Sequence, residues 1–303
     1  SIVGFMKRFL CGSEKLLIDL THVFSLSENV KLSRRGYNSE KEFMPQVNVL
    51  FLFSYEQKLP LFYRLVPGNV RDVSTFKATI EQTGVKDVII IGDKGFYSSE
   101  NISLLKQNGL SYILPLKRNN ALIDYTVLRK GSRKGFEGYF KYAERYIWYY
   151  RCGRNPEVYV FLDSEARVKE ERDYLTRIET HPEFGYDIEG FHNREYKFGT
   201  IALVTNLSVS AEKLYQYFKS RCEIEQMFDT FKNTLNADRS YMRSDYSLEG
   251  WMFVNYLSLI YYYKIYRMLV EKGALKSYSV SDVLLFLTLL RKAHVSDQWI
   301  TLE

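Results

Sequence analysis

The sequence predicts an α/β fold built on a mixed sheet, and three observations carry that reading. Up to Leu116, apolar runs and glycine-stopped polar segments follow one another in the order β-β-β-α-β-α-β. From Arg118 to about Thr200 the chain turns β-rich and basic. From Ile201 onward a buried strand precedes three long helical stretches.

Each element has a local reason. Lys15–Leu20, Val47–Ser54 and Pro60–Val66 are β-like runs, and the short polar connection Tyr55–Leu59 makes the last two a hairpin. Pro67-Gly68-Asn69 is a turn. Asp72–Gly84 has the polar start and glycine stop of a helix. Val88–Ile91 is apolar throughout and suits a buried strand ending at Gly92-Asp93. Ser98 caps a helix through Gln107 that Gly109 closes, and Tyr112–Leu116 is the next strand. Strands at Gly138–Tyr150 and Val158–Leu162 and a charged helix near Ser164–Ile178 follow, then a polar loop to Gly199. Ile201–Thr205 returns to a strand. Helices are expected over Ser210–Leu235, Leu248–Lys272 and Ser281–Lys292. The expected organisation is a core over residues 1–117, an insertion over 118–200, and the rest of the core over 201–303.

Composition narrows the class. The chain has 303 residues, 46% of them apolar and 16% aromatic, enough to bury a large core. Six prolines and 17 glycines exclude a disordered or collagen-like chain. Gly250–Tyr263 is too short to span a membrane and holds Asn255. The apolar start at Ile2, Val3, Phe5 and Met6 has no cleavage site after it, so no signal peptide is expected. Cys11, Cys152 and Cys222 lie far apart and form no metal-ligand spacing, which suits a reducing compartment.

Charge is concentrated. Between Lys117 and Arg154 ten Lys and Arg face three acids, a balance of +7 where the whole chain carries +6. Phe136, Tyr139, Phe140, Tyr142, Tyr146, Trp148, Tyr149 and Tyr150 interleave with them. Such a pattern neutralises phosphates and stacks on unpaired bases. It equally describes a twisted hairpin with a packed aromatic face and solvated cations.

Two carboxylates stand at the ends of apolar runs, Asp19 after Leu16-Leu17-Ile18 and Asp93 after Val88–Gly92. On adjacent strands they would emerge together and repel unless a cation lay between them. Oxygen donors of that kind suit Mg²⁺. Each alone also reads as a turn cap. Glu225 is the third candidate. On one continuous helix, Phe218, Arg221, Glu225 and Lys232 fall within roughly a 60° arc, a carboxylate flanked by two cations. The alternative is an i,i+4 pair of Arg221 with Glu225 on a solvated face.

Four segments in this order resemble the DDE transposases of bacterial insertion sequences, in the subclass with a Y-x2-R-x3-E-x6-K signature. They are LLIDLTHVFS over Leu16–Ser25, LPLFYRLVPGNVRDVSTF over Leu59–Phe76 with the PGN-x2-D stretch, IIIGDKGFYS over Ile89–Ser98, and FKSRCEIEQMFDTFK over Phe218–Lys232. The resemblance runs from about Lys15 to Tyr263. Phe218 stands where the signature has Tyr, and Lys94 where Arg follows the second acid.

The resemblance implies a ribonuclease-H-like core with a β-rich insertion between the second Asp and the Glu. It implies two Mg²⁺ ions, replaceable by Mn²⁺, on Asp19, Asp93 and Glu225, with Asp19 bridging both. Arg221, Lys232, Lys94 and Phe218 would meet DNA, while Phe96 or Tyr97 would stack on a displaced base or pack in the core. His22, beside the first acid, is a further possible ligand. The reaction implied is cleavage of transposon-end DNA and strand transfer into target DNA. A homodimeric, membrane-free, cytoplasmic enzyme is expected. Eighteen residues precede Asp19, so a chain lacking the usual N-terminal DNA-binding region is expected. A metal-dependent nuclease without strand transfer and a non-catalytic DNA-binding relic are the alternatives.

Overall fold

The computed structural model describes the chain except residues 11, 39, 71, 155, 296–297 and 303, and side chains except those of 72–74, 154, 182 and 291–302 as well. Cys11 and the Asp72 side chain therefore lie outside the described residues. In chain order the elements are α1 (Ile2–Lys7), β1 (Lys15–Phe24), β2 (Arg34–Arg35), β3 (Pro45–Ser54), β4 (Leu59–Pro67), α2 (Asp72–Thr83), β5 (Ile89–Ile91), α3 (Ser99–Gln107) and β6 (Ser111–Pro115). Then come α4 (Thr126–Arg129), β7 (Gly138–Tyr142), β8 (Arg145–Arg154), β9 (Glu157–Asp163), α5 (Ser164–Thr180), α6 (Ile188–His192) and β10 (Thr200–Thr205). The chain ends with α7 (Ala211–Lys219), α8 (Cys222–Asp229), a π-helical turn (Thr230–Thr234), α9 (Asp245–Glu271), α10 (Val280–Leu289), β11 (Arg291–Val295) and β12 (Gln298–Leu302).

The chain divides into two compact units. One comprises Ser1–Gly12, Leu20–Asn69 and Glu225–Glu303. In it β3 pairs antiparallel with β4 from Val47↔Pro67 to Ser54↔Leu59, and with β2 at Arg34↔Gln46 and Arg35↔Pro45. Along α9, Tyr256 and Tyr263 meet the hairpin. The Tyr256 hydroxyl donates to the Leu61 carbonyl at 2.8 Å, and Phe53 lies edge-on to Tyr263 at 5.6 Å. Phe51 packs on Phe228 and Phe231.

The Pro67-Gly68-Asn69 turn is fixed by close backbone approach. A Cβ on Gly68 would stand 2.0 Å from the Gln46 carbonyl oxygen and 2.4 Å from that of Arg34. The Gly68 carbonyl in turn accepts from the Gln46 and Asn48 side-chain amides at 3.2 and 3.1 Å. Only glycine lets the strands close to that distance.

The other unit comprises Ser13–Asp19 and Val70–Ile224. Its strands run in the order β1-β5-β6-β10-β9-β8-β7. The first two pairings are parallel and the rest antiparallel, a large mixed sheet. Ile90, Ile91, Ile113, Leu114, Leu203 and Val204 are fully buried, as the continuous apolar runs of such strands require. The β7–β8 hairpin turns through Ala143 and Glu144, both at positive φ, the geometry that matches strand twist.

Two expectations need correction, and one open alternative is decided. The helix expected over Ser210–Leu235 is broken. The Ser220 hydroxyl donates to the Tyr217 carbonyl at 2.6 Å, and Arg221, Glu223 and Ile224 amides bond three residues back, so the chain tightens between α7 and α8. After Asp229 it widens into the π-helical turn. The single-helix arc through Phe218, Arg221, Glu225 and Lys232 therefore does not apply. The last helix stops at Leu289 rather than Lys292, and the chain passes into the β11–β12 hairpin. Phe96 is fully buried and packs 5.8 Å from Phe76, so it is a core residue and offers no face to a base.

Candidate active site

Parallel pairing of β1 with β5 runs from Lys15↔Ile89 to Leu17↔Ile91. Asp19 and Asp93 each stand two residues beyond the last pair, so the register brings both carboxylates to one level. The strand does not end at Asp19 but continues to Phe24. Asp93 leaves the sheet directly after Gly92 and stands at the N-terminal boundary of the helical turn Lys94–Phe96, its carboxylate making no capping bond to that turn. A Cβ on Gly92 would meet Ile18, Leu114 and Phe96 side chains at 3.1–3.2 Å, so the backbone beneath Asp93 is tightly packed.

One guanidinium joins the two acids. Arg221 donates from one terminal nitrogen to Asp19 Oδ2 at 2.9 Å and from the other to Asp93 Oδ1 at 3.2 Å. The Arg221 and Asp19 side chains are only 12% and 16% exposed, whereas Asp93 is 37% exposed. Two converging carboxylates repel, and the Arg221 guanidinium placed against both offsets that repulsion. The Phe218 ring centroid lies 5.9 Å from the guanidinium carbon. The break between α7 and α8 places Arg221 in the turn, off the regular helix surface.

A second constellation surrounds Lys232. Its ammonium lies 3.0 Å from Glu40 Oε1 and 3.2 Å from His22 Nε2, and His22 Nε2 lies 3.1 Å from the same Glu40 oxygen. Burial first, and the Lys232 charge second, push the His22 imidazole below its usual range; Glu40 opposes both. Partial burial of Glu40 raises its carboxyl, but Lys232 and His22 outweigh that and hold it below the usual carboxylate range.

Asp19 and Asp93 are thus brought together, and His22 is taken up by Lys232 and Glu40. Lys94 and Glu225 are exposed on the surface. Among the described residues no three His, Cys, Asp or Glu side chains are gathered as metal ligands. The donor chemistry of Asp19 and Asp93 nonetheless fits a hard divalent cation: two carboxylate oxygens converge on a single positive group. Glu40 had no signal in the sequence, because its contact with Lys232 joins residues 192 positions apart.

The sequence profile of the family described as "Transposase DDE domain" matches residues 12–261, and the chain belongs to that family. No curated protein sequence matches the chain. Among solved structures it is similar to the piggyBac transposase synaptic complex with hairpin DNA, at 13% identity and a TM-score of 0.48. That alignment covers 91% of this chain and 52% of the other, so the chain spans about half the length of that relative. The Mos1 transposase paired-end complex with the left transposon end matches at 12% identity and a TM-score of 0.24, covering 37% of this chain and 38% of that one. A pre-cleavage Mos1 transpososome matches at the same identity and score, covering 37% and 39%. Among the described residues no helix is long and apolar enough to cross a membrane.

Proposed function

We propose that the chain is the catalytic part of an insertion-sequence DNA transposase, which cuts phosphodiester bonds at transposon-end DNA and joins the freed end to target DNA. The carrying observation is the Asp19–Arg221–Asp93 arrangement on neighbouring parallel strands, in a chain of the DDE family. In this reading the β-rich residues 118–200 are an insertion in a ribonuclease-H-like core. The working assembly is a homodimer holding paired ends.

Asp19, Asp93 and Glu225 would hold two Mg²⁺ ions, with Mn²⁺ as substitute. Bound there, divalent ions supply an activated oxygen nucleophile and neutralise charge at the phosphate. The chain's own groups do the rest. The Asp19 and Asp93 oxygens would hold that positive charge where the scissile phosphate binds. Arg221 balances the acids when no other cation is between them, and binds phosphate oxygens when it is displaced from them. Lys232 and Lys94 hold backbone phosphates as point charges, and Phe218 packs against Arg221 where the signature has a phenol.

The test is cleavage of labelled duplex DNA carrying the element's flanks, with Mg²⁺ or Mn²⁺. Asp19→Asn, Asp93→Asn and Glu225→Gln should each cut about a thousandfold more slowly, since several kcal/mol of charge stabilisation is lost. Joined product on a target plasmid distinguishes a transposase from a nuclease that stops at hydrolysis. Variants cutting as fast as wild type would overturn the assignment.

A further inference from the structure

A second basic constellation lies within residues 118–200, apart in sequence from the acids. A cavity of about 260 Å³ is lined by Arg118, Asn119, Arg194, Lys197 and Phe198. Of these, the Arg118 guanidinium donates twice to the Thr200 carbonyl, at 3.3 and 3.1 Å, and to Glu170 Oε1 at 2.8 Å. Glu170 is anchored in turn by the Gly199 amide, which donates to its other oxygen at 3.1 Å. Arg118 is therefore held rigidly by groups on both sides.

The remaining cations rest on aromatic rings. Lys197 Nζ lies 5.3 and 5.4 Å from the Tyr125 and Tyr196 ring centroids, and the Arg194 guanidinium 5.8 Å from Tyr174. Arg129 stacks at 4.5 Å on Tyr196 and donates to its hydroxyl at 2.9 Å. Among the described residues, Glu170 is the only carboxylate in ion-pair contact with any of these four cations. Beside the pocket, partial burial raises the Tyr196 phenol, but Arg129 and Lys197 together hold it below the usual phenol range.

We propose that this pocket binds a backbone phosphate of DNA. The lining offers guanidinium, ammonium and amide donors, the set that recognises a phosphate diester. Ring contacts hold the cations in place without neutralising them, so their charge stays available to an anion. The inference rests on the proposed function only for the choice of DNA as the source of the phosphate. It adds an anchoring point that neither the acids nor the Arg221 and Lys232 positions provide, and it reads no sequence, because phosphate contacts position a duplex without specifying it.

Fluorescence anisotropy with a labelled random-sequence duplex over a KCl series tests it. Arg194→Gln with Lys197→Gln should weaken binding about tenfold at low salt and make the slope of log K against log salt shallower by about 1, one phosphate contact. Lys264→Gln with Lys272→Gln, equal in charge change, should leave the slope unmoved. Glu170→Gln keeps an oxygen for Gly199 but uncovers Arg118, so affinity should rise, an outcome misfolding does not imitate. A slope unchanged in the pocket variant, with no gain from Glu170→Gln, overturns the proposal. So does calorimetric binding of inorganic phosphate that the double variant abolishes while the DNA slope stays fixed, which makes the pocket a free-anion site. Cleavage measured in parallel separates the two readings. Intact cleavage with an unmoved slope rejects the pocket alone, and a shifted slope with no cleavage by wild type rejects the nuclease reading alone.

Discussion

Glu40 Oε1 sits 3.0 Å from Lys232 Nζ, placing a carboxylate oxygen on the ammonium that we assign to a DNA phosphate. The two cannot bind Lys232 with full strength at once, because an ammonium satisfied by a carboxylate is a weaker phosphate site. Glu40→Gln keeps the shape and removes the charge. DNA affinity should rise about three- to tenfold, or on the order of 1 kcal/mol for a half-exposed pair. Anisotropy titration checks it; unchanged affinity would separate Lys232 from DNA.

The same cluster sets a pH dependence. The folded state holds His22 below its usual value of 6.5, so the unfolded chain binds that proton first as pH falls. The stability contribution is therefore complete above pH 6.5 and is lost as pH drops from there through the folded value. Between pH 7.5 and 5.5 wild type should lose more melting temperature than His22→Gln. Parallel slopes for the two proteins would contradict the assignment.

Arg221 separates two acids that would otherwise repel. Arg221→Met should cost about 1–3 kcal/mol in EDTA, the order for removing one partner from a partly buried charged network, reduced by the exposure of Asp93. Millimolar Mn²⁺ should restore more stability to this variant than to wild type, since a divalent ion can take the vacated place between Asp19 and Asp93. Thermal melts with and without Mn²⁺ measure the difference. Equal Mn²⁺ shifts in the two proteins would mean that the acids do not share a cation site.

Gly68→Ala tests the backbone crossing. The added methyl meets carbonyl oxygens at 2.0 and 2.4 Å, and main chain must move to admit it. A loss above about 3 kcal/mol is expected, beyond the range of ordinary surface substitutions. By contrast Gly84→Ala, at φ +65° with nothing within 4 Å, should cost only the left-handed backbone penalty of roughly 1–2 kcal/mol. Urea melts of the two variants should show that order.

Much of the strand and helix order was present in the sequence. The apolar runs Leu16–Ile18, Ile89–Ile91 and Ile201–Thr205 declare buried strands because each is hydrophobic on both faces. Ser98 and Ser210 declare helix starts, and each accepts an amide hydrogen bond as an N-cap. Asp19 and Asp93 were legible as acids that end apolar stretches. Their nearness was not, because it depends on which strands pair and in which register. The tertiary structure alone decided that β1 lies beside β5, that Arg221 bridges the two acids, and that Glu40 covers Lys232. It also broke the expected long helix at Ser220, where a hydroxyl bonding its own preceding turn competes with the regular ladder. Periodicity and caps act over a few residues and leave their mark in local sequence. Ion pairs between residues 128 to 202 positions apart arise from chain packing, which no local pattern records.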